Sequence, residues 1–130
     1  LSVQPHADAA SHYRLGQALA GLADEGVLVI GSGGFVHNLA ELAWGRPDAP
    51  MPAWARDFRD WMRDRVLAAD VHALLDWERQ APQARHAHPT TEHLLPLFVA
   101  MGAAEGHTGV RHLHDSHEYG SLALDAFAFG

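Results

Sequence analysis

Eleven histidines in a chain of 130 residues outnumber the nine basic side chains, every one of which is arginine. With no cysteine and no lysine, the groups able to do chemistry narrow to imidazoles, carboxylates and hydroxyls. That set excludes a disulfide scaffold, a thiolate zinc site, a cysteine nucleophile, a lysine Schiff base and a phosphate loop centred on lysine. It points instead to metal or proton chemistry, because imidazole is a common transition-metal donor and titrates near neutrality. Most of the eleven histidines are nonetheless read as ordinary surface residues.

Three groups stand out by spacing. His37 closes the run Gly31-Ser32-Gly33-Gly34-Phe35-Val36-His37-Asn38, which follows the short apolar stretch Gly26–Ile30. A glycine turn at the carboxyl end of a buried strand is where open α/β sheets present ligands, so His37 is either a group at that mouth or a plain helix-start histidine. The run lacks the third glycine of a dinucleotide fingerprint, and the acidic residue that should follow would be Asp57, inside a helix. Ser32 lacks the residue between glycine and serine on each side that a nucleophile elbow needs.

The second group is His88-Pro89-Thr90-Thr91-Glu92-His93. Five positions apart on one helix, the two imidazoles would lie roughly 140° out of line. Pro89 holds His88 extended ahead of the helix, which lets both rings converge on one point. Glu92 is either a carboxylate partner or a favourable charge at the helix start. The third group is His112, His114 and His117. The first two share a strand face and could hold one metal, although an exposed polar face is the simpler reading.

The elements that must position these groups follow from hydropathy. Asp8 caps a helix carrying Tyr13, Leu15, Ala18, Leu19 and Leu22 as far as the stop at Asp24-Glu25-Gly26. Gly26–Ile30, a continuous apolar run between glycines, predicts a strand buried on both faces. A helix-like segment spans Leu39 to Trp44, and the proline-rich Gly45–Pro52 is a surface connection. Ala53–Ala69 reads as an amphipathic helix, with Trp54, Phe58, Trp61, Met62 and Val66 on one stripe. Its opposite face interleaves Arg56, Arg59 and Arg63 with Asp60 and Asp64 as helix-surface ion pairs.

Asp70 caps a further helix through Leu74, Leu75 and Trp77, and Ala81–Pro89 is a loop. Thr90-Thr91-Glu92 opens a helix carrying Leu94 to Met101, with Pro96 early enough to be tolerated. Val110–His114 and Ser121–Phe129 alternate as strands. The four tryptophans are assigned to core or interface.

Composition sets the class. Sixteen acidic residues give a net charge of −7, with 48% hydrophobic and 19% charged residues, the profile of one soluble domain able to bury a core. The acidic balance argues against nucleic acid or an anionic membrane surface as partner. No apolar run approaches a membrane span and no charged-then-apolar leader opens the chain, so the cytoplasm is the expected compartment. The opening Leu1–Pro5 reads as a strand cut partway, which predicts a piece of a longer protein.

Taken in order, Gly26-Val-Leu-Val-Ile-Gly-Ser-Gly-Gly-Phe-Val-His-Asn-Leu39, His88-Pro-Thr-Thr-Glu-His-Leu-Leu-Pro-Leu-Phe-Val-Ala-Met-Gly-Ala-Ala104 and Ser121-Leu-Ala-Leu-Asp-Ala-Phe-Ala-Phe-Gly130 resemble the class III extradiol ring-cleavage dioxygenases. The resemblance is to the 4,5-DOPA extradiol branch, related to the catalytic B subunit of protocatechuate 4,5-dioxygenase. It spans nearly the whole chain, residues 1–130, but matches only the carboxyl-terminal half of the family's catalytic domain. It implies an α/β fold in which helices flank a mixed central sheet, here half of the full domain.

It also implies a mononuclear non-haem metal, Fe(II) with Zn(II) as the alternative, and a catecholic substrate opened by O₂ next to the diol. Residue by residue, His93 matches the ligand histidine of the His-Pro-Thr-x-Glu-His block. His37 matches the histidine of the glycine block, as metal ligand or as acid/base, and His88 is a catalytic candidate beside the metal or facing substrate. Family ligands from the amino-terminal half are missing. The resemblance therefore implies a partner, either that half or another subunit, and association into an oligomer. A non-catalytic metal-binding or interaction module retaining part of the fold is the alternative.

Overall fold

A computed structural model describes residues 1–106 and 109–130. Its helices are α1 (Ala9–Gln17), α2 (Ala53–Leu67), α3 (Val71–Leu75), α4 (Trp77–Gln80), α5 (Ala84–Ala87) and α6 (Leu95–Ala103). The strands are β1 (Val110–His114), β2 (His117–Glu118), β3 (Leu122–Ala123) and β4 (Ala126–Phe129). β1 pairs antiparallel with β4, and β2 with β3, so the strands among the described residues form two small two-stranded sheets beside the helices.

The expected helix boundaries largely hold where a side chain fixes them. Asp8 accepts the Ser11 N–H at 2.8 Å and starts α1, and Asp70 accepts the Ala73 N–H at 3.1 Å and starts α3. The first helix ends early, however. After Gln17 the chain tightens into a 3₁₀ turn over Ala20–Glu25 that has no fully buried side chain, so little packing holds it in α-form; Gly26 follows at φ 75°. Leu39–Glu41 is likewise only one 3₁₀ turn, capped by Asn38, rather than a helix to Trp44. The expected loop Ala81–Pro89 contains α5, and α6 starts at Leu95 rather than at the threonines, with Pro96 in its first turn.

The core gathers Phe58, Met62 and Val66 of α2, Leu74, Trp77, and Leu94, Leu95 and Phe98 around α6. α1 crosses α6 with their backbones in contact. A Cβ on Gly16 would strike the Val99 carbonyl, and one on Gly102 the Tyr13 carbonyl, so glycine at both positions is what permits the approach.

One expected strand is absent. Gly26–Ile30 is extended but makes no ladder with any described strand, and Leu28 and Ile30 are 80% and 77% exposed. A strand buried on both faces needs neighbours at its edges and cover on each side. The glycines that follow it lie close against the chain entering α6, where a Cβ on Gly31 would strike the Pro96 carbonyl and one on Gly33 the His93 carbonyl. The expected single strand Ser121–Phe129 is also divided, its corner at Leu124-Asp125 separating β3 from β4.

The α1–α6 crossing yields a direct expectation. Gly102→Ala should lower stability by about 1–3 kcal/mol in chemical denaturation, the usual cost of overpacking. Gly21→Ala, with open space around its Cα, should be close to neutral.

Candidate active site

The glycine block and the histidine block are laced together by four hydrogen bonds. The Gly34 N–H donates to the His93 carbonyl at 2.9 Å and the His37 N–H to the Ala87 carbonyl at 3.1 Å. The Asn38 side-chain amide donates to the His86 carbonyl at 2.7 Å, and the His88 ring Nε2 bonds the Phe35 carbonyl at 3.1 Å. On its other side the glycine block is tied to β3: the Phe35 N–H donates to the Ala123 carbonyl at 3.2 Å, and Val36 forms a bridge with Ala123.

This clasp brings His37 and His93 face to face, with ring centroids 3.6 Å apart and planes inclined by 19°. Both rings are partly exposed, and Glu92 lies 3.7 Å from His93 Nε2. Partial burial, and then the neighbouring His93, hold the His37 pKa below the ordinary imidazole value. The Glu92 carboxyl is held below its usual range by its own backbone N–H and by the Thr90 hydroxyl, which donates at 2.8 Å.

His88 sits differently. It is 3% exposed, wedged against Phe58 and Trp77 with ring centroids 5.4 and 5.7 Å away. A carbonyl can only accept, so Nε2 carries the proton, and Nδ1 is left buried without a partner among the described residues. Burial pushes the His88 pKa down to about 4. The arrangement explains the direction, since an imidazolium there would bury a second N–H with nothing to receive it.

The third histidine group does not assemble. A bulge separates His112 from His114 on β1. His112 Nε2 lies 2.8 Å from the buried Asp125 carboxylate, His114 Nε2 bonds the Ser116 hydroxyl at 2.7 Å, and His117 lies on β2. Asp125 in turn receives Arg59 through Nε at 2.6 Å and Nη2 at 3.0 Å, and Arg59 also reaches Asp115. Arg59 thus turns inward instead of joining the surface ion pairs expected along α2, where Arg63 alone meets Asp60 and Asp64. The pattern held a hint of this: Arg59 lies one turn from Ala55 and Met62 on the buried stripe. The Asn38 and Phe35 contributions to the clasp carry no comparable mark in the sequence.

Beside His93 runs an open trough of about 640 Å³. Val27–Phe35 form one wall, Ala126–Gly130 of the β4 region the other, and Leu94, Leu97 and Ala100 the floor. His93 lies on its rim.

The sequence profile of the catalytic LigB subunit of aromatic ring-opening dioxygenases matches residues 1–127. The chain belongs to this family. It is 40% identical over 132 residues to a 4,5-DOPA dioxygenase extradiol of Beta vulgaris, a match covering 99% of this chain and 47% of that protein. It is 32% identical over 133 residues to the 4,5-DOPA dioxygenase extradiol of Escherichia coli K12, covering 48% of it. The crystal structure of an uncharacterized protein from Escherichia coli K12 superposes with a TM-score of 0.85 at 30% identity, over 99% of this chain and 53% of that one. The chain therefore spans about half the length of the LigB-family relatives it matches, and its fold corresponds to half of a family domain. No helix among the described residues is long and apolar enough to cross a membrane.

The donor set can be tested against the metal that the family implies. Imidazole is the right donor type for a first-row divalent metal, but ring lone pairs lie in the ring plane, so the stacked His37 and His93 rings as they stand aim nearly parallel and present one donor at a time to an ion. No group of three or more His, Asp or Glu that could share one ion occurs among the described residues. The residues present fit as part of a site rather than as a whole one.

The buried state of His88 gives a pH dependence with a definite sign. Its folded pKa, about 4, lies below the ordinary value of 6.5. The unfolded chain therefore takes up a proton that the folded chain refuses between those values. Stability from this residue is full above pH 6.5 and falls as the pH drops toward 4, by up to about 1.4 kcal/mol per unit. Denaturant titrations across pH 4–7 should show this slope, and His88→Gln should flatten it.

Proposed function

We propose that the chain is the carboxyl-terminal portion of an extradiol dioxygenase that opens a catecholic ring next to the diol with O₂. The observation that carries this reading is the stacked pair His37 and His93, held by the clasp in a LigB-family chain, with His93 at the rim of an open trough.

His93 is assigned as a metal ligand and His37 as the acid/base that also borders the metal. Fe(II) is the proposed metal, with Zn(II) as the competing occupant of such a donor set. When bound, the metal would supply Lewis acidity toward the catechol oxygens and activation of O₂. His37 is suited to take a catechol hydroxyl proton on a ring nitrogen, because its lowered pKa favours the neutral, receptive form. The same imidazole can return that proton later in the reaction. Stacking against His93 and hydrogen bonding of its own backbone to Ala87 restrict where the His37 ring can go, so proton transfer starts from a fixed geometry.

The remaining donors are proposed to come from the other half of the domain, joined to this one or carried by another subunit. The trough between Val27–Phe35 and β4 is the surface that half would cover. It exposes Leu28 and Ile30 on a segment that joins no strand ladder among the described residues, which an apolar strand from a partner would cover.

Metal analysis of the chain assembled with its other half separates the two roles. His93→Ala should lose nearly all bound iron, while His37→Ala should keep most of it and lose turnover by about 10²–10⁴-fold, the usual worth of a general acid/base. Full iron retention in His93→Ala would refute the ligand assignment.

A further inference from the structure

We infer that His88 is a positioning residue: its imidazole, fixed in the core, holds the Phe35 carbonyl and thereby sets where His37 stands relative to His93. The inference rests on the reading of His37 and His93 as the working pair, but its geometry stands without any reaction.

Four observations carry it. The His88 ring is clamped between Phe58, tilted at 57°, and Trp77, edge-on at 78°, both fully buried, so its orientation is dictated by the same packing that fixes α2 and α4. Its Nε2 proton goes to the carbonyl of Phe35, two residues before His37, and Phe35 is itself buried at 5% exposure. On either side of His88, the Ala87 carbonyl receives the His37 N–H and the His93 carbonyl receives the Gly34 N–H. His88 is also only 3% exposed, so its ring presents almost no surface to a bound substrate.

The side chain pays for this placement with a buried, unpartnered Nδ1. An apolar residue would fill the same core space without that cost, which is of order 1–3 kcal/mol for an unsatisfied buried group. What an apolar residue cannot do is donate to Phe35. Without the donor, the buried carbonyl of Phe35 loses its ring partner, and Gly34–Asn38 is held to the histidine block by three hydrogen bonds instead of four, which loosens its register. Displacements on the ångström scale at a reacting group are enough to cost turnover heavily.

The test uses the full chain and needs no substrate or metal. Nitrogen NMR of the wild-type protein should find His88 neutral, with the proton on Nε2 and Nδ1 bare. In His88→Leu, amide hydrogen exchange at Gly34, Phe35 and His37 should accelerate at least tenfold relative to amides in the middle of α2. In His88→Gln, whose side-chain amide can still donate to Phe35, protection should return to within about threefold of wild type. A proton on Nδ1, or exchange at Gly34–His37 that moves no more than the α2 amides in His88→Leu, would overturn the assignment. Should His88→Leu fail to fold, the wild-type tautomer and the His88→Gln exchange pattern decide the question by themselves. Loss of ring-cleaving activity in every preparation would count against the proposed reaction and leave these readings intact.

Discussion

The structure depends on a constraint that is easy to state: two segments some fifty residues apart must lie side by side in register, because neither can satisfy its backbone alone. Gly34–Asn38 and His86–His93 exchange their polar groups across four hydrogen bonds, two of them through the side chains of Asn38 and His88. The same register, backed by Phe35 and Val36 sharing one core with Ala87 and Leu94, brings His37 within stacking distance of His93. The glycines serve the same end, since a Cβ on Gly33 would collide with the His93 carbonyl and push the two segments apart.

From that constraint the division of labour among the histidines follows. Two imidazoles stand at the surface end of the clasp, where they are partly exposed and able to meet a metal or a proton. The third is driven into the core, where burial keeps it neutral and leaves it one hydrogen bond to make. A second, separate polar network, Arg59 with Asp125 and His112, pins the corner between β3 and β4 to α2. Asp125 has no exposed side-chain surface, so removing either charge would leave the other buried and uncompensated. That corner adjoins Ala123, the residue that receives the Phe35 N–H on the far side of the clasp.

Much of this was legible in the residues, and the limits have physical causes. Asp8 and Asp70 marked helix starts because a cap is a local interaction, complete within a few residues. The blocks containing His37 and His93 could be singled out by glycine and proline, whose backbone preferences are also local. Gly26–Ile30 misled because its apolar, β-branched character speaks for a strand, whereas a strand exists only where neighbours complete its ladder. His112 and His114 misled for a related reason: alternation predicts one shared face, but a bulge between them breaks the alternation. The partnership of His88 with Phe35 spans 53 positions, and no spacing rule reaches that far.

The central claim is that this half-length LigB-family chain contributes the reacting histidines of a ring-opening dioxygenase. Oxygen consumption answers it most directly, measured for the iron-loaded chain assembled with the other half of its domain while a panel of catechols is supplied. One O₂ should be consumed per catechol with formation of a ring-opened semialdehyde, and both should be lost in His37→Ala. Assembled, iron-replete protein that consumes no O₂ with any catechol, or that opens the ring between the two hydroxyls, would contradict it.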